Sequence, residues 1–315
     1  MKTTRYPLIS IGIPVYNGEP FIAQTLDSLL AQDYENLELI ISDNASTDKT
    51  AAICKHYATR DIRIRYDRNH ENLGAVRNFN RTFQLSHGEY FMWAGAHDLW
   101  DQAFISTCLS EILDDPEVVL CGGAYREIDE KGTPIKIEPT VDTRGMKPAE
   151  RLRCVMHNSP YAVYSLIRTE TLRRTHLFAE SYAGDRLLLA ELSLLGEFRY
   201  TPNVSTYFRI FRDRYFTEDQ NLIRLFGPSA TKMNGTILRR FPCSHSMLGM
   251  CRVIYRAHLP FGATTYLISD VVTKYKVFVL KEVATRWWPR CLRHSLKKKC
   301  PGVYRAWQGL GENKI

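Results

Sequence analysis

Two hydrophobic rhythms alternate along the first half of the chain. Short apolar-rich runs at residues 9–14, 38–42, 62–67, 90–93 and 118–122 read as strands. Between them, residues 20–32, 49–59, 74–85 and 102–113 carry apolar side chains at helical spacing. In the first of these helices Phe21, Thr25, Leu26, Leu29 and Leu30 share one stripe. Strand and helix in strict alternation predict βαβ units, and hence an α/β fold with a mainly parallel central sheet flanked by helices. Asp48 stands where it can cap the second helix, with its hydroxyl neighbours supporting the turn.

Further on the rhythm loosens. Residues 127–143 are polar and broken by Gly132 and Pro134, which predicts a hairpin or a loop insertion. Residues 161–168 are rich in β-formers and predict a return to the sheet. Residues 186–195 are apolar nearly all round, as in a buried helix, and 198–201 and 206–210 read as further strands. After about Phe216 the pattern turns helical. The expected organisation is an α/β domain over 1–215 and a helical, basic region over 216–315.

The first two apolar runs end in polar residues, Tyr16-Asn17-Gly18-Glu19 and Asp43-Asn44. In an open α/β sheet ligands bind at the carboxyl ends of the strands, where strand order reverses. A carboxylate there can accept the N3–H of uracil while an aromatic ring stacks on the base, and an unpaired acceptor gives selectivity. Asn, Gly and Asp are also the residues that turns prefer, so two tight turns are the competing reading.

Four separated segments, in order, resemble family 2 glycosyltransferases of the GT-A (Rossmann-like) fold, and the resemblance runs to about Arg212. Pro14-Val15-Tyr16-Asn17 is similar to that family's PxYN segment, Asp43 to its second-strand Asp, and Ser46-Thr47-Asp48-Lys49-Thr50 to its GSTDGT turn. The resemblance implies donor binding by Pro14, Tyr16, Asn17, Glu19, Asp43 and Asn44. Asn72 to Asn78 resembles NxGxxxARN, which implies that Asn72, Gly74 and Arg77 lie beneath the donor sugar and diphosphate. A helix starting near Gly74 would offer N–H groups to phosphate, and Arg77 could pair with it.

Gly95-Ala96-His97-Asp98 stands where the family has its DxD motif, which implies Asp98 as ligand of Mg2+ or Mn2+, with His97 beside the donor. A cation there neutralises the charge growing on the leaving diphosphate. Ala96 departs from the pattern, and a lone loop carboxylate is the competing reading. Asp185, in a segment similar to the family's acceptor-side motif, is implied as the base of an inverting transfer. A helix begins there too, so an N-cap also fits. Arg209 and Arg212, with Arg214, match a segment that closes over the diphosphate, and solvated surface charge fits them as well.

Composition narrows the class. At 44% hydrophobic and 24% charged the chain has the make-up of an ordinary globular protein. No stretch approaches the ~18 uninterrupted apolar residues of a membrane span, and the first residues lack the apolar core of a signal peptide. Eight Cys without a CxxC pair argue against a zinc site and a disulfide framework, which leads to a cytoplasmic expectation. The net charge of +8 is concentrated after residue 280, where nine Lys and Arg face two acidic residues. This is not the basic face of a nucleic-acid binder. Trp287, Trp288, Tyr304 and Trp307 stand among Arg286, Arg290, Arg293, Lys297, Lys298 and Lys299, which suits peripheral contact with the anionic inner face of a membrane. A solvated helix whose tryptophans pack on the core is the alternative.

PVYNGEPF is neither Gly-rich nor basic, which excludes the phosphate loop of a nucleotidyltransferase. The expected function is an inverting glycosyltransferase of hexosyltransferase type. Its donor would be a UDP- or dTDP-sugar, and its acceptor a hydroxyl of a glycan, a lipid-linked or another acceptor, in cell-surface polysaccharide or glycoconjugate synthesis. The alternative is a catalytically degenerate GT-A domain that binds nucleotide sugars or serves as a scaffold.

Overall fold

The apolar runs pair as their alternation requires. The computed structural model describes residues 6–287 apart from 139, 159, 212–217, 229 and 231–240. By contacts the chain divides into Met1–Lys232 and Met233–Ile315. The first unit opens with β1 (Ile9–Val15), α1 (Ile22–Leu30), β2 (Leu37–Asp43), α2 (Thr50–Arg60), β3 (Ile64–Arg68), α3 (Ala75–Gln84) and β4 (Tyr90–Trp93). It continues with β5 (Leu99–Trp100), α4 (Phe104–Leu113), β6 (Val118–Ile128), β7 (Pro134–Glu138), α5 (Pro148–His157) and β8 (Leu166–Arg168). It ends with α6 (Thr169–Arg173), α7 (Gly184–Leu195), β9 (Glu197–Arg209) and α8 (Glu218–Phe226).

The strands form one sheet in the order β3-β2-β1-β4-β8-β6-β9-β5, with β7 paired to β6. β3, β2, β1 and β4 are mutually parallel, as are β6 and β9. β8 runs antiparallel to both β4 and β6 and joins the two parallel blocks. Strand order reverses at β1, whose neighbours are β2 and β4. The loops after β1 and β4 therefore diverge to opposite sides and leave a crevice between them.

Each face of the sheet has its own core. Ile9, Ile11 and Ile13 of β1, with Tyr90 and Met92 of β4, join α1 and α4. Phe91 and Trp93 point the other way, to Val155 of α5 and Leu188, Leu189 and Leu192 of α7. Gly12 lets α3 lie directly on β1, since a Cβ there would come within 2.5 Å of Thr82 Oγ1.

The structure corrects several boundaries. β3 starts at Ile64, and Ile62 is fully exposed in the turn before it. Residues 198–201 and 206–210 are parts of a single 13-residue strand, β9. It runs beside β6, which extends to Ile128 and carries register shifts between Val118 and Leu120 and between Gly122 and Ala124. Gly123 permits that approach, because a Cβ would meet Val204 O at 2.4 Å. Residues 127–143 contain the hairpin strand β7. Of residues 161–168, the first part is a 3-10 turn and the last three residues form β8.

In the second unit, the helices Pro242–Arg256 and Phe261–Trp287 bury Met250, Val253 and Ile254, and Leu267 and Val271, respectively. Tyr255, Phe261, Tyr266 and Leu280 remain exposed. No helix among the described residues is long and apolar enough to cross a membrane. The six described cysteines form no disulfide. Arg212, Arg214 and the basic segment from residue 288 onward lie outside the described residues.

Candidate active site

The crevice is lined by the loops that follow β1, β2, β3 and β4. Pro14 lies within β1, in register with Ser42 of β2. Beyond them, the loops after β1 and β2 are laced together. The Asn17 amide N–H donates to Ser46 Oγ at 2.9 Å, and the Thr47 N–H donates to Asn17 Oδ1 at 2.8 Å. Gly18 N–H donates to Thr50 Oγ1, and Glu19 N–H to Asp48 Oδ2. Glu19 in turn accepts from the Lys49 N–H and pairs with its ammonium at 3.3 Å. Asp48 also accepts from Thr50 N–H at 3.0 Å, an Asx turn just ahead of the cap position Lys49, so the expected capping role becomes one of tying the turn to the neighbouring loop. Asn17 and Ala45 hold positive φ, 51° and 61°. For Ala45 this is strain, which the surrounding bonds maintain. Tyr16 is left 49% exposed at the rim.

Asp43 is fully buried. Its Oδ1 accepts the Ser46 N–H at 2.8 Å, and its Oδ2 accepts Tyr66 O–H at 2.7 Å and an Arg68 N–H at 3.0 Å. This carboxylate meets no solvent, its oxygens turned to Ser46, Tyr66 and Arg68. The exposed member of the cluster is Arg68, whose side chain is 40% exposed. Arg68 also donates to Ser46 O at 2.8 Å.

Behind these loops lies a network of amides. Asn44 Oδ1 accepts from Asn69 Nδ2 and from the Leu73 N–H, and Asn44 Nδ2 donates to Asn72 Oδ1. Asn78 Oδ1 accepts from Ser42 Oγ and Asn69 Nδ2. Asn44 and Asn72 thus fix the loop that leads into α3. The Gly74 N–H is taken by Asn72 Oδ1 at 2.8 Å. A Cβ on Gly74 would sit 2.3–2.6 Å from the Phe226 and Gly227 backbone. The entrance to α3 is therefore covered by the end of α8. Gly74 has φ 81°, so Gly74→Ala combines backbone strain with a backbone clash. It is expected to cost about 2 kcal/mol or more, read as a lower denaturant midpoint with an unchanged slope. Arg77 points outward and pairs with Glu180 at 2.9 Å, both side chains about half exposed.

After β4 the chain turns through Gly95 to Asp98. Asp98 is 2% exposed and its Oδ1 accepts the Arg209 N–H at 2.9 Å. Burial raises its carboxyl pKa, opposed by His97, by the Arg209 N–H and by the Arg209 charge. His97 is 45% exposed, with Nε2 at 3.7 Å from Asp98 Oδ1. Arg209 is buried at 3% exposure, and burial lowers its pKa. Its guanidinium donates to His97 O, Asp129 O, Glu130 O and Gln24 Oε1 and lies over the Phe21 ring. A diphosphate would have to displace these partners. Arg209 braces the Asp98 loop against α1 and the β6–β7 hairpin.

The described residues hold no group of three or more His, Cys, Asp and Glu that could bind a metal. His97 Nε2 and Asp98 Oδ1, 3.7 Å apart, are the side-chain atoms on this loop that would hold one. An imidazole beside a single carboxylate suits a transition ion better than Mg2+.

Asp185 is the second residue of α7; the cap position is Ala183, which makes no side-chain bond. The N-cap reading of Asp185 is therefore set aside. Its Oδ1 accepts the Arg186 N–H at 2.8 Å. Burial raises its carboxyl pKa, and that N–H and the Arg186 charge pull the other way. Tyr164, with its phenol pKa pushed up first by burial, feels the charges of both Asp98 and Asp185. Arg224 of α8 acts on the same phenol. Tyr66, Arg68, Tyr164 and Arg224 were missed in the sequence. For Tyr66 and Arg68 a signal existed, since they stand two apart on one face at the end of the third parallel strand.

The model of glycosyl transferase family 2 matches residues 10–168, half of the chain. A glycosyltransferase of Rickettsia typhi, named as uncharacterized, is 33% identical over 186 residues, which cover 58% of this chain and 57% of that protein. The chain therefore spans only part of that relative's length. Among solved structures, S. aureus TarS 1–349 in complex with UDP-GlcNAc matches 96% of this chain and 79% of its own, with TM-score 0.62 and 16% identity. Mannosyltransferase PcManGT of Pyrobaculum calidifontis, in complex with GDP-Man and Mn2+, matches 89% of this chain and 85% of its own, with TM-score 0.51 and 16% identity. At these identities the two structures speak for the fold.

Proposed function

Because the chain belongs to glycosyl transferase family 2, we propose that it transfers a sugar, with inversion, from a UDP- or dTDP-sugar to a hydroxyl of a glycan or lipid-linked acceptor. The observation that carries this reading is the crevice where strand order reverses at β1, with Tyr16 exposed at its rim and Asp98 in the loop that follows β4. A leaving diphosphate on the β4 side and an acceptor hydroxyl near the start of α7 would meet beside it.

The base of the donor stacks on Tyr16, and the lacing of the two loops holds that ring ready. Arg77, once it leaves Glu180, supplies charge to the diphosphate. Asp185 takes the proton of the acceptor hydroxyl as its oxygen attacks the anomeric carbon. The bond from that carbon to the diphosphate oxygen breaks on the opposite face, which inverts the centre. Asp98 and His97 would hold a divalent ion, Mn2+ in preference to Mg2+, whose chemistry is to neutralise charge on the leaving diphosphate. Chelation is then expected to lower turnover at least tenfold, with Mn2+ restoring it better than Mg2+. Full transfer in excess chelator rejects the ion.

The acceptor class supports a role in cell-surface polysaccharide or glycoconjugate synthesis. Peripheral contact with an anionic membrane is part of this reading. It is supported by the exposed Tyr255, Phe261, Tyr266 and Leu280 and by the basic sequence that follows them. Ala96 favours one competing reading, a degenerate module that binds donor without turning it over. A mass-spectrometric screen of nucleotide sugars separates the two. The enzyme binds a donor and releases nucleoside diphosphate, whereas the module binds and returns the donor intact. Absence of any nucleotide-sugar binding rejects both.

A further inference from the structure

The boundary between the two units is also a boundary of charge. Residues 1–232 hold 27 Lys and Arg against 31 Asp and Glu, whereas residues 233–315 hold 15 against three. No acidic residue stands between Asp219 and Asp270. The described part of this cationic unit is built by α9 (Pro242–Arg256) and α10 (Phe261–Trp287). On one side α10 buries Leu267 and Val271. On the opposite side Tyr266, Ser269, Val272, Thr273, Lys276 and Leu280 are exposed, and their three- and four-residue steps align them in one stripe. Of its three large apolar side chains, Tyr266, Val272 and Leu280, the least exposed is still 44% exposed. The stripe holds one charge, that of Lys276, and no carboxylate. A helix face turned to water ordinarily carries charged residues. From Tyr266 to Leu280 the stripe is about 21 Å long. Phe261, where α10 starts, and Tyr255, near the end of α9, are exposed as well.

We propose that this stripe of α10 lies in the headgroup layer of an anionic bilayer, with Tyr266, Val272 and Leu280 entering the acyl boundary and Lys276 reaching back along its stem to the lipid phosphates. The inference rests on the membrane contact of the proposed function and adds to it the face that inserts and the attitude of the helix. Asp270, Lys274 and Lys276 stand in mid-helix, and no described helix is long and apolar enough to cross a membrane. The helix therefore lies in the plane of the bilayer. Charge names the occupant. A unit with 15 basic and three acidic residues is drawn to anionic headgroups, and no carboxylate on the stripe opposes the approach. A second copy would bring the same cationic body against itself, which like charge disfavours. A nucleic acid would meet the charge and leave Val272 and Leu280 in water.

The test is flotation of the full chain with vesicles of phosphatidylcholine alone and of phosphatidylcholine mixed with phosphatidylglycerol, for the wild type and the double variant Val272→Gln/Leu280→Gln. Both side chains are exposed, so the variant should keep the wild-type melting curve. The wild type is expected to float with the anionic vesicles and to stay in solution with the neutral ones. In the variant, partition into anionic vesicles should fall about tenfold or more. Lys276→Glu should lower it too, because a carboxylate then faces the lipid phosphates. If the variant floats as well as the wild type, basic charge alone holds the protein to lipid; the membrane contact stands and the inserted stripe is overturned. If the wild type floats with neither vesicle, membrane contact and stripe fall together. Nucleoside diphosphate release with a water-soluble acceptor, measured without vesicles, then tests the transferase reading separately. Sedimentation without lipid reads the remaining alternative. A wild-type dimer that the double variant turns into a monomer makes the stripe a face between copies and overturns the proposal.

Discussion

Asp185→Asn is expected to lower turnover by about 10²–10⁴-fold while leaving donor affinity near wild type. The base acts on the acceptor hydroxyl, so its loss belongs to the chemical step. Asn keeps the local structure, since its Oδ1 can still accept the Arg186 N–H that Asp185 accepts at 2.8 Å. No capping bond is lost, because the cap position is Ala183. The pH dependence follows from the raised pKa of Asp185, caused first by burial. A base works when deprotonated, so kcat/KM should climb with pH through a value above the ordinary carboxylate range. That limb should vanish in Asp185→Asn. The sign for stability is opposite. A carboxyl whose folded pKa is raised contributes most below its unfolded value, and that contribution is lost as pH rises through the folded value. Asp185→Asn should therefore be at least as stable as wild type at neutral pH. A variant with wild-type turnover would place the base elsewhere.

Arg209→Met is expected to unfold the domain more easily by about 3 kcal/mol or more, a fall in Tm of roughly 6–12 °C. The buried guanidinium satisfies His97 O, Asp129 O, Glu130 O and Gln24 Oε1, and each loses its donor in the variant. Arg209→Lys should rescue little, since one ammonium on a flexible stem cannot span four acceptors on three segments. Donor binding should fall only through the loosened Asp98 loop. If Arg209→Met instead melts like wild type and loses donor affinity outright, the residue is a diphosphate ligand and its bonds to protein are incidental.

The parallel block was legible because β1, β2 and β4 are short runs buried along nearly their whole length, and α1 between the first two shows one apolar stripe. Polar residues at the ends of β1 and β2 stand, as read, at the carboxyl ends of two neighbouring parallel strands. Which of them face a ligand was not legible, because that depends on partners distant in sequence. Asp43 is enclosed by Tyr66 and Arg68, and Arg209 by carbonyls from the β6–β7 hairpin. The single long β9 was hidden by Pro202 and Asn203, which read as a break, whereas Gly123 on β6 accommodates them with a register shift. The helix α5 carried a signal that went unread, Pro148 at its start and Glu150 accepting the Lys147 N–H at 2.9 Å. The cover of Gly74 by Phe226–Gly227 is a contact between residues about 150 apart, and no local pattern announces it.

The most direct test is the release of nucleoside diphosphate from a panel of UDP-, dTDP- and GDP-sugars with Mn2+ present and candidate acceptors added. It is followed by chromatography for wild type and Asp185→Asn side by side. The account predicts acceptor-dependent release of UDP or dTDP by the wild type, and a loss of about 10²-fold or more in the variant. No release from any sugar by a folded, donor-binding wild type would contradict it, as would equal release by both proteins.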